Sequence, residues 1–343
     1  MAVGDARGLV LEAVREGALI GAGRPVVAML SGGRDSVCLL DVAVAVCGAG
    51  AVSALHVNYG LRAQADGDEL HCRELCERLG VGLEVVRESP KARATGPDGR
   101  PSGNLHAWAR EVRYRAADLM ARERDASVAT GHTASDQVET ILYRLAASPG
   151  RRALLGMVAA DGRLVRPLLA LTREQTAAYC RAADLGWVED ESNDDRKYAR
   201  ARVRNGLLPA LRAVHPAAEV NVLRTAKLLR EETALLDALV ESELAGAGEI
   251  ALERLQGLPR ALARLIVIRL AEDAAGGLVP QAGDRVAEIL ALSRRGGRAE
   301  LHVGGQAGAV IEGGMLSMVR LPAREDRLGP RAPGPAAARG LDC

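Results

Sequence analysis

Ser31-Gly32-Gly33-Arg34-Asp35-Ser36 offers two hydroxyls, a guanidinium and a carboxylate around paired glycines. An apolar run, Pro25 to Leu30, precedes it, and an amphipathic run opening Val37-Cys38-Leu39-Leu40 follows it. That order predicts a strand, a tight turn and a helix N-terminus. Adjacent glycines let the backbone come close to a ligand. The free N–H groups and the dipole at the start of a helix favour negative charge there. The chemistry is therefore phosphate binding. No Lys follows the glycines, which excludes the GxxxxGK[ST] loop.

Three further stretches carry polar groups of the same kind. In His56-Val57-Asn58-Tyr59-Gly60-Leu61-Arg62, His56 and Asn58 supply directional hydrogen bonds and Gly60 a sharp turn. For His56 taken alone, a polar loop after a strand is the plainer reading. In Gly131-His132-Thr133-Ala134-Ser135-Asp136-Gln137-Val138-Glu139-Thr140, Asp136 and Glu139 stand three apart and share a helix face, with His132 just before it. Two carboxylates and a His beside a phosphate suit Mg²⁺ and proton transfer. Acids complementing a helix dipole also explain Asp136 but leave His132 unexplained. The third stretch, Glu189 to Arg204, runs from acidic to basic. Arg200 and Arg204, four apart, project together and suit phosphate contacts; a solvated, ion-paired helix is the plainer reading.

The elements that must position these groups alternate. Strands are expected at 25–30, 51–57, 83–87 and 127–130, and helices at 6–20, 36–47, 64–79, 104–124 and 134–147. This pattern predicts an α/β fold with a doubly wound, mostly parallel sheet. Ligands bind at the carboxyl ends of the strands in such sheets. Ser31, His56 and Gly131-His132 all fall at those ends. Residues 172–185 and 200–213 read as helices, and three or four more lie in 217–295. Residues 298–320 alternate around Gly304-Gly305 and Gly313-Gly314, as hairpins do. The expected organisation is a catalytic domain over 1–215, a mainly helical C-terminal domain over 216–321 and a disordered tail over 322–343. The Gly/Pro-rich segment 91–103 is expected to be a mobile loop.

Composition narrows the classes. The chain has 343 residues and a formal net charge of +1, so no global field steers it to nucleic acid. Phe is absent, so the core rests on Leu, Val and Ala. Of 45 basic residues only Lys91, Lys197 and Lys227 are lysines. Arg suits bidentate phosphate contacts, although genomic base composition also explains the bias. The six cysteines form no CxxC pair, which argues against zinc or iron–sulfur and for a reduced, cytoplasmic setting. No stretch reads as a membrane span or a signal peptide.

The SGGxDS loop resembles that of the N-type ATP pyrophosphatases, and the whole set resembles the tRNA(Ile)-lysidine synthetases. That family carries SGGxDS, HVNHGLR, ARxxRY, ATGHHxDDQxET, an ED-x-SN-x-D…R-x-R block and LLP-x-L. Here these are Ser31–Ser36, His56–Arg62, Ala109–Tyr114, Ala129–Thr140, Glu189–Arg204 and Leu207–Leu211. Departures are Tyr59 for a His, Thr133 for a His, Ser135 for an Asp, His106 for a Glu and Ala201 for an Asn.

The resemblance implies a ligase. ATP would adenylate O2 at C2 of the wobble cytidine in an isoleucine tRNA with a CAU anticodon, and L-lysine would displace AMP. Ser31, Gly32, Gly33, Arg34, Asp35 and Ser36 would hold ATP, joined by His56, Asn58 and Gly131. Asp35, His132, Asp136, Glu139, Arg113 and Arg204 would be catalytic. Mg²⁺ would sit at Asp35, Asp136 and Glu139. The partners implied are tRNA and lysine. A homodimer is allowed, since the sequence sets no oligomeric state. A tRNA 2-thiolation enzyme or a non-catalytic nucleotide-binding regulator are the alternatives; NAD and GMP synthetases share only the loop.

Overall fold

The computed structural model describes residues 3–61, 64–89, 105–147, 150–189, 199–293 and 297–322. Arg62, the segment 91–103, Asp190 to Tyr198 and the tail from 323 lie outside the described residues, as does the side chain of His106. The chain divides into two compact units between Leu229 and Arg230.

In the first unit the elements run α1 (Val3–Gly17), β1 (Val26–Met29), α2 (Arg34–Cys47), β2 (Val52–Asn58), α3 (Ala65–Leu79), β3 (Gly82–Arg87), α4 (Leu105–Glu123), β4 (Ser127–Ala129) and α5 (Ala134–Ala147). Then follow α6 (Arg151–Leu154), β5 (Ala160–Asp161), β6 (Leu164–Val165), α7 (Arg173–Ala182), α8 (Ala199–Arg202) and α9 (Leu208–Val214). A π turn, Val203–Leu207, joins the last two. α10 (Ala218–Leu244) spans the division. The expected boundary at 215/216 falls in the turn before it.

The sheet order is β3-β2-β1-β4-β6-β5. Every pairing is parallel except β5 with β6. The chain leaves β1 toward β2 on one side and later returns to β4 on the other, so the order reverses at β1. That switch point is where a doubly wound sheet opens a crevice. The inner strand β1 is buried at all four positions, as parallel strands covered on both faces must be.

α2 explains itself by burial. Val37 through Leu40, Val42 and Ala43 are fully covered. It lies against β1, α1 and α7. A helix apolar all round is stable only when surrounded. Each buried Leu contributes about 2 kcal/mol of transfer free energy, so the phosphate loop hangs on a rigid support. α7 is fixed at its start by a capping box, Thr172 with Gln175.

The second unit continues with β7 (Glu249–Ala251), α11 (Leu252–Gly257), α12 (Arg260–Ala275), α13 (Val286–Ser293), β8 (Ala299–Gly304), β9 (Ala307–Glu312) and β10 (Met315–Arg320). The hairpins expected in 298–320 are β8 to β10. The expectation of a mainly helical domain understates the sheet, because β7 joins it and makes a four-stranded order β7-β10-β9-β8. Three residues are too few to show a period of two. Ile266, Ile289, Ala307 and Leu316 sit at the centre of this unit's core.

Candidate active site

The loop after β1 folds on its own hydroxyls. Ser36 Oγ donates to the Gly33 carbonyl at 2.7 Å and accepts from the Ser31 N–H at 3.1 Å. Gly32 takes φ +83°, which disfavours any L side chain. Its carbonyl accepts the Val188 N–H at 2.9 Å, so the strap after α7 braces the back of the turn. Gly33 caps α2 without a side-chain bond, leaving first-turn N–H groups outside the helical ladder. Ser31 is exposed and Gly32 buried: the turn opens outward from a packed base.

The loop after β4 presses directly on this support. A Cβ at Gly131 would stand 2.8 Å from the Asp35 carbonyl oxygen. Only glycine permits that approach, and it puts His132 and α5 beside the phosphate loop. Thr133 gives both its N–H and its hydroxyl to Asp136 Oδ2, each at 2.8 Å. Thr133 therefore ties Asp136 to the first turn of α5.

Two arginines complete the acid side. Arg173, the first residue of α7, reaches Asp136 at 2.6 Å and Glu139 at 2.8 Å, and lies 3.9 Å from Asp35. Arg204, in the π turn, pairs with both oxygens of Glu139 at 2.8 and 3.0 Å. π turns concentrate at functional positions. Thr176 donates to Asp35 Oδ1 at 2.5 Å. Asp35, Asp136 and Glu139 thus meet at one guanidinium. Burial opposes the charge of Asp136, but Arg173 and Thr133 outweigh it and hold the carboxyl below its ordinary range.

His132 differs. Its Nδ1 lies 2.8 Å from Thr130 Oγ1. Burial lowers its pKa to about 4; Asp136 pulls the other way, and Arg166, Arg110 and Arg113 reinforce the burial. The ring is neutral at pH 7.

Other sequence candidates are engaged elsewhere. His56 Nδ1 lies 2.9 Å from the Leu30 carbonyl and 3.4 Å from Cys72 Sγ, so it braces the end of β1 from beneath. Asn58 binds Glu69 and Asp66, each at 3.1 Å, and accepts from the Gly60 N–H. It fixes the β2 turn against α3. Arg34 turns back on Asp35 at 3.1 Å. Arg113 lies near Tyr114 on α4, and its Nε is buried without a partner. Arg173 and Thr176 had no sequence signal of their own. They follow a strand of two residues, and only the β4–β6 pairing brings them to Asp35.

The acid group also bears on a metal. Among the described residues no cluster of three or more His, Cys, Asp or Glu could hold an ion. Asp136 and Glu139 are committed to arginines, which leaves them a poor donor set. Asp35 is engaged too, by Thr176 and Arg34, so a Mg²⁺ at the phosphate loop would take one of its oxygens in place of such a contact and its remaining ligands from phosphate and water.

A family profile described as a PP-loop domain matches residues 12–211. The chain belongs to the PP-loop domain family. Among curated relatives, the tRNA(Ile)-lysidine synthase of Pseudomonas fluorescens (strain Pf0-1) is 37% identical over 236 residues, covering 67% of this chain and 51% of that protein. The tRNA(Ile)-lysidine synthase of Dehalococcoides mccartyi (strain CBDB1) is 34% identical over 285 residues, covering 77% of this chain and 60% of that protein. The chain spans about half the length of the first of these, 51%. Among solved structures, the U34-tRNA thiolase NcsA from Methanococcus maripaludis matches with a TM-score of 0.52 at 17% identity, covering 65% of this chain and 78% of that one. That likeness is one of fold.

Proposed function

We propose that this PP-loop protein is a tRNA(Ile)-lysidine synthase, consuming ATP and L-lysine to modify the wobble cytidine of an isoleucine tRNA with a CAU anticodon. The observation that carries the reading is the meeting of Asp35 from the phosphate loop with Asp136 and Glu139 at Arg173. It joins an anion nest to an acid pair that an ammonium group can bind by displacing part of the guanidinium contact. The named relatives support the same reading.

In the first step O2 of cytidine forms a bond to the α-phosphorus of ATP, and pyrophosphate leaves. Ser31, Ser36, Gly32, Gly33 and the first-turn N–H groups of α2 hold the departing phosphates. Arg34 and Asp35 flank them. Mg²⁺, when bound through Asp35, would neutralise phosphate charge. In the second step the lysine Nε bonds to C2 and AMP leaves. An amide-like oxygen is a poor leaving group, and adenylation converts it into a good one. Asp136 and Glu139 bind the ammonium, displacing part of the guanidinium contact. The ammonium first gives its proton to solvent water, and His132, neutral at pH 7, then accepts a hydrogen bond from the free amine. A proton affinity that low makes it an orienting acceptor and a weak base.

The thiolation alternative needs thiolates. Burial, foremost, raises the Cys72 pKa to about 12 and the Cys76 pKa to about 11. These buried thiols stay protonated. The five described cysteines are free and buried, which supports a reduced cytoplasmic setting. Among the described residues no helix is long and apolar enough to cross a membrane.

The test is direct. The protein is incubated with ATP, Mg²⁺, labelled lysine and the CAU isoleucine tRNA. Label entering tRNA, with AMP and pyrophosphate released in equal amounts, is expected. Nucleotide binding without AMP release would favour a regulator and overturn the reading.

A further inference from the structure

A second set of arginines acts on His132: Arg166, Arg110 and Arg113. Arg166 directly follows β6, whose Val165 pairs with Ala129 of β4. The Thr130 N–H donates to the Val165 carbonyl at 3.0 Å. Arg166 therefore sits one strand over from Thr130 and its partner His132. It is only 7% exposed. One of its amines donates to the Val158 carbonyl at 2.6 Å, and its Nε is buried with no partner. From α4, Arg110 lies over the Tyr114 ring at 4.6 Å and Arg113 at 5.9 Å. The Arg113 Nε is likewise buried and unpartnered. No carboxylate pairs with Arg110, Arg113 or Arg166 among the described residues. Burial, foremost, lowers the Arg166 pKa; Tyr114 and Asp161 oppose it, and Arg110 and Arg144 reinforce it.

A buried cation without a counter-ion is costly, and a buried N–H without an acceptor is rare. Two such N–H groups in one cationic cluster beside a reaction centre call for an anion. Guanidinium forks match the oxygens of phosphate, and a flanking aromatic ring leaves their edges free to bond. Tyr114 supplies that ring. We propose that Arg166, with Arg110 and Arg113, forms an oxyanion subsite for one phosphate group beside His132. The backbone phosphodiester next to the reacting cytidine is its expected source. This rests on the RNA-modifying reading above; a phosphate of ATP is the other source, and the two give different results.

The probe is a synthetic anticodon stem-loop with a CAU loop, titrated onto the full chain at several salt concentrations. Arg166→Gln and Arg110→Gln remove charge while keeping bulk; Arg110 is exposed, so its loss spares the core. Each is expected to weaken RNA binding and to lower the slope of log affinity against log salt by about one. Nucleotide affinity, titrated without RNA, should stay within twofold of the wild type, and Arg166→Lys should restore part of the slope. A stem-loop carrying one neutral methylphosphonate linkage beside the cytidine should bind the wild type more weakly, and Arg166→Gln no more weakly than the unmodified loop. Loss of nucleotide affinity with an unchanged RNA slope would assign the same subsite to a phosphate of ATP. Unchanged slope and unchanged nucleotide affinity in both Gln variants would overturn the subsite. The reading it rests on fails separately, by absence of lysine transfer in the wild type.

Discussion

Two groups of arginines face the same edge of the sheet, and their surroundings are opposite. Arg173 and Arg204 are each held by acids, through Asp136 and Glu139, at 2.6 to 3.0 Å. Arg113 and Arg166 each keep a buried Nε with nothing to bond. The paired set is internally neutralised, and its geometry is fixed before any ligand arrives. The other set has no carboxylate within ion-pair distance among the described residues, and Asp161 acts on Arg166 only from farther away. Preorganised pairs shape a site, whereas unbalanced cations recruit a ligand. His132 feels Asp136 of the paired set and Arg166, Arg110 and Arg113 of the other.

The largest effect should come where the acid side meets the phosphate loop. Asp35 touches Thr176 and lies near Arg173. Asp35→Ala is expected to cut AMP formation by about a thousandfold or more, on the scale of losing a key electrostatic group. Pyrophosphate release measured in a single turnover checks this. Retained turnover would detach the paired set from catalysis.

Next in size is the anchor of the pair itself. The Glu139 side chain is 4% exposed and carries both guanidiniums. Glu139→Gln should destabilise the fold by about 2–3 kcal/mol, since it leaves partly buried cations uncompensated. The figure is set toward the low end because Arg173 and Arg204 keep 21% and 31% of their side-chain surface. Urea unfolding measures it. An unchanged midpoint would mean that the two arginine sets do not differ in kind.

How much of this was legible in the sequence follows from the same contrast. The phosphate loop, the β4 loop and the alternation of the sheet are local patterns, written in glycines, caps and periods. Arg204 was legible through its motif. Arg173 and Arg166 were not, because β5 and β6 have two residues each and show no period. Their place comes from long-range parallel pairing, which no short window carries. Asn58 and His56 show the converse. Their types and positions point to a ligand, yet Asn58 binds α3 side chains and His56 the β1 backbone.

His132 gives a pH-dependent probe of the boundary. Its folded pKa is depressed from 6.5 to about 4. The unfolded chain binds the extra proton between those values, so stability rises with pH there. The contribution is complete above about 6.5 and is lost as pH falls toward 4, reaching on the order of 3 kcal/mol. Asp136, held below its ordinary range, keeps its charge through that window. Urea midpoints of the wild type should fall from pH 7 to pH 4.5 more steeply than those of His132→Asn. Parallel curves would place the ring in water, outside both arginine sets.

The smallest effect tests how the paired set is aimed. Thr172 caps α7 and accepts the Gln175 N–H, while Gln175 returns to the Thr172 N–H at 2.8 Å. Arg173 is the next residue, so the cap fixes where its side chain departs. Thr172→Ala should cost about 1 kcal/mol of stability, the usual value of an N-cap. Arg173 is bound at three acids and the cap acts only on its backbone, so lysine KM should shift more than the rate of AMP formation. Equal losses in both would mean that Arg173 serves adenylation as much as amine binding. The paired arginines would then be part of one continuous site, with no division of labour between the two steps.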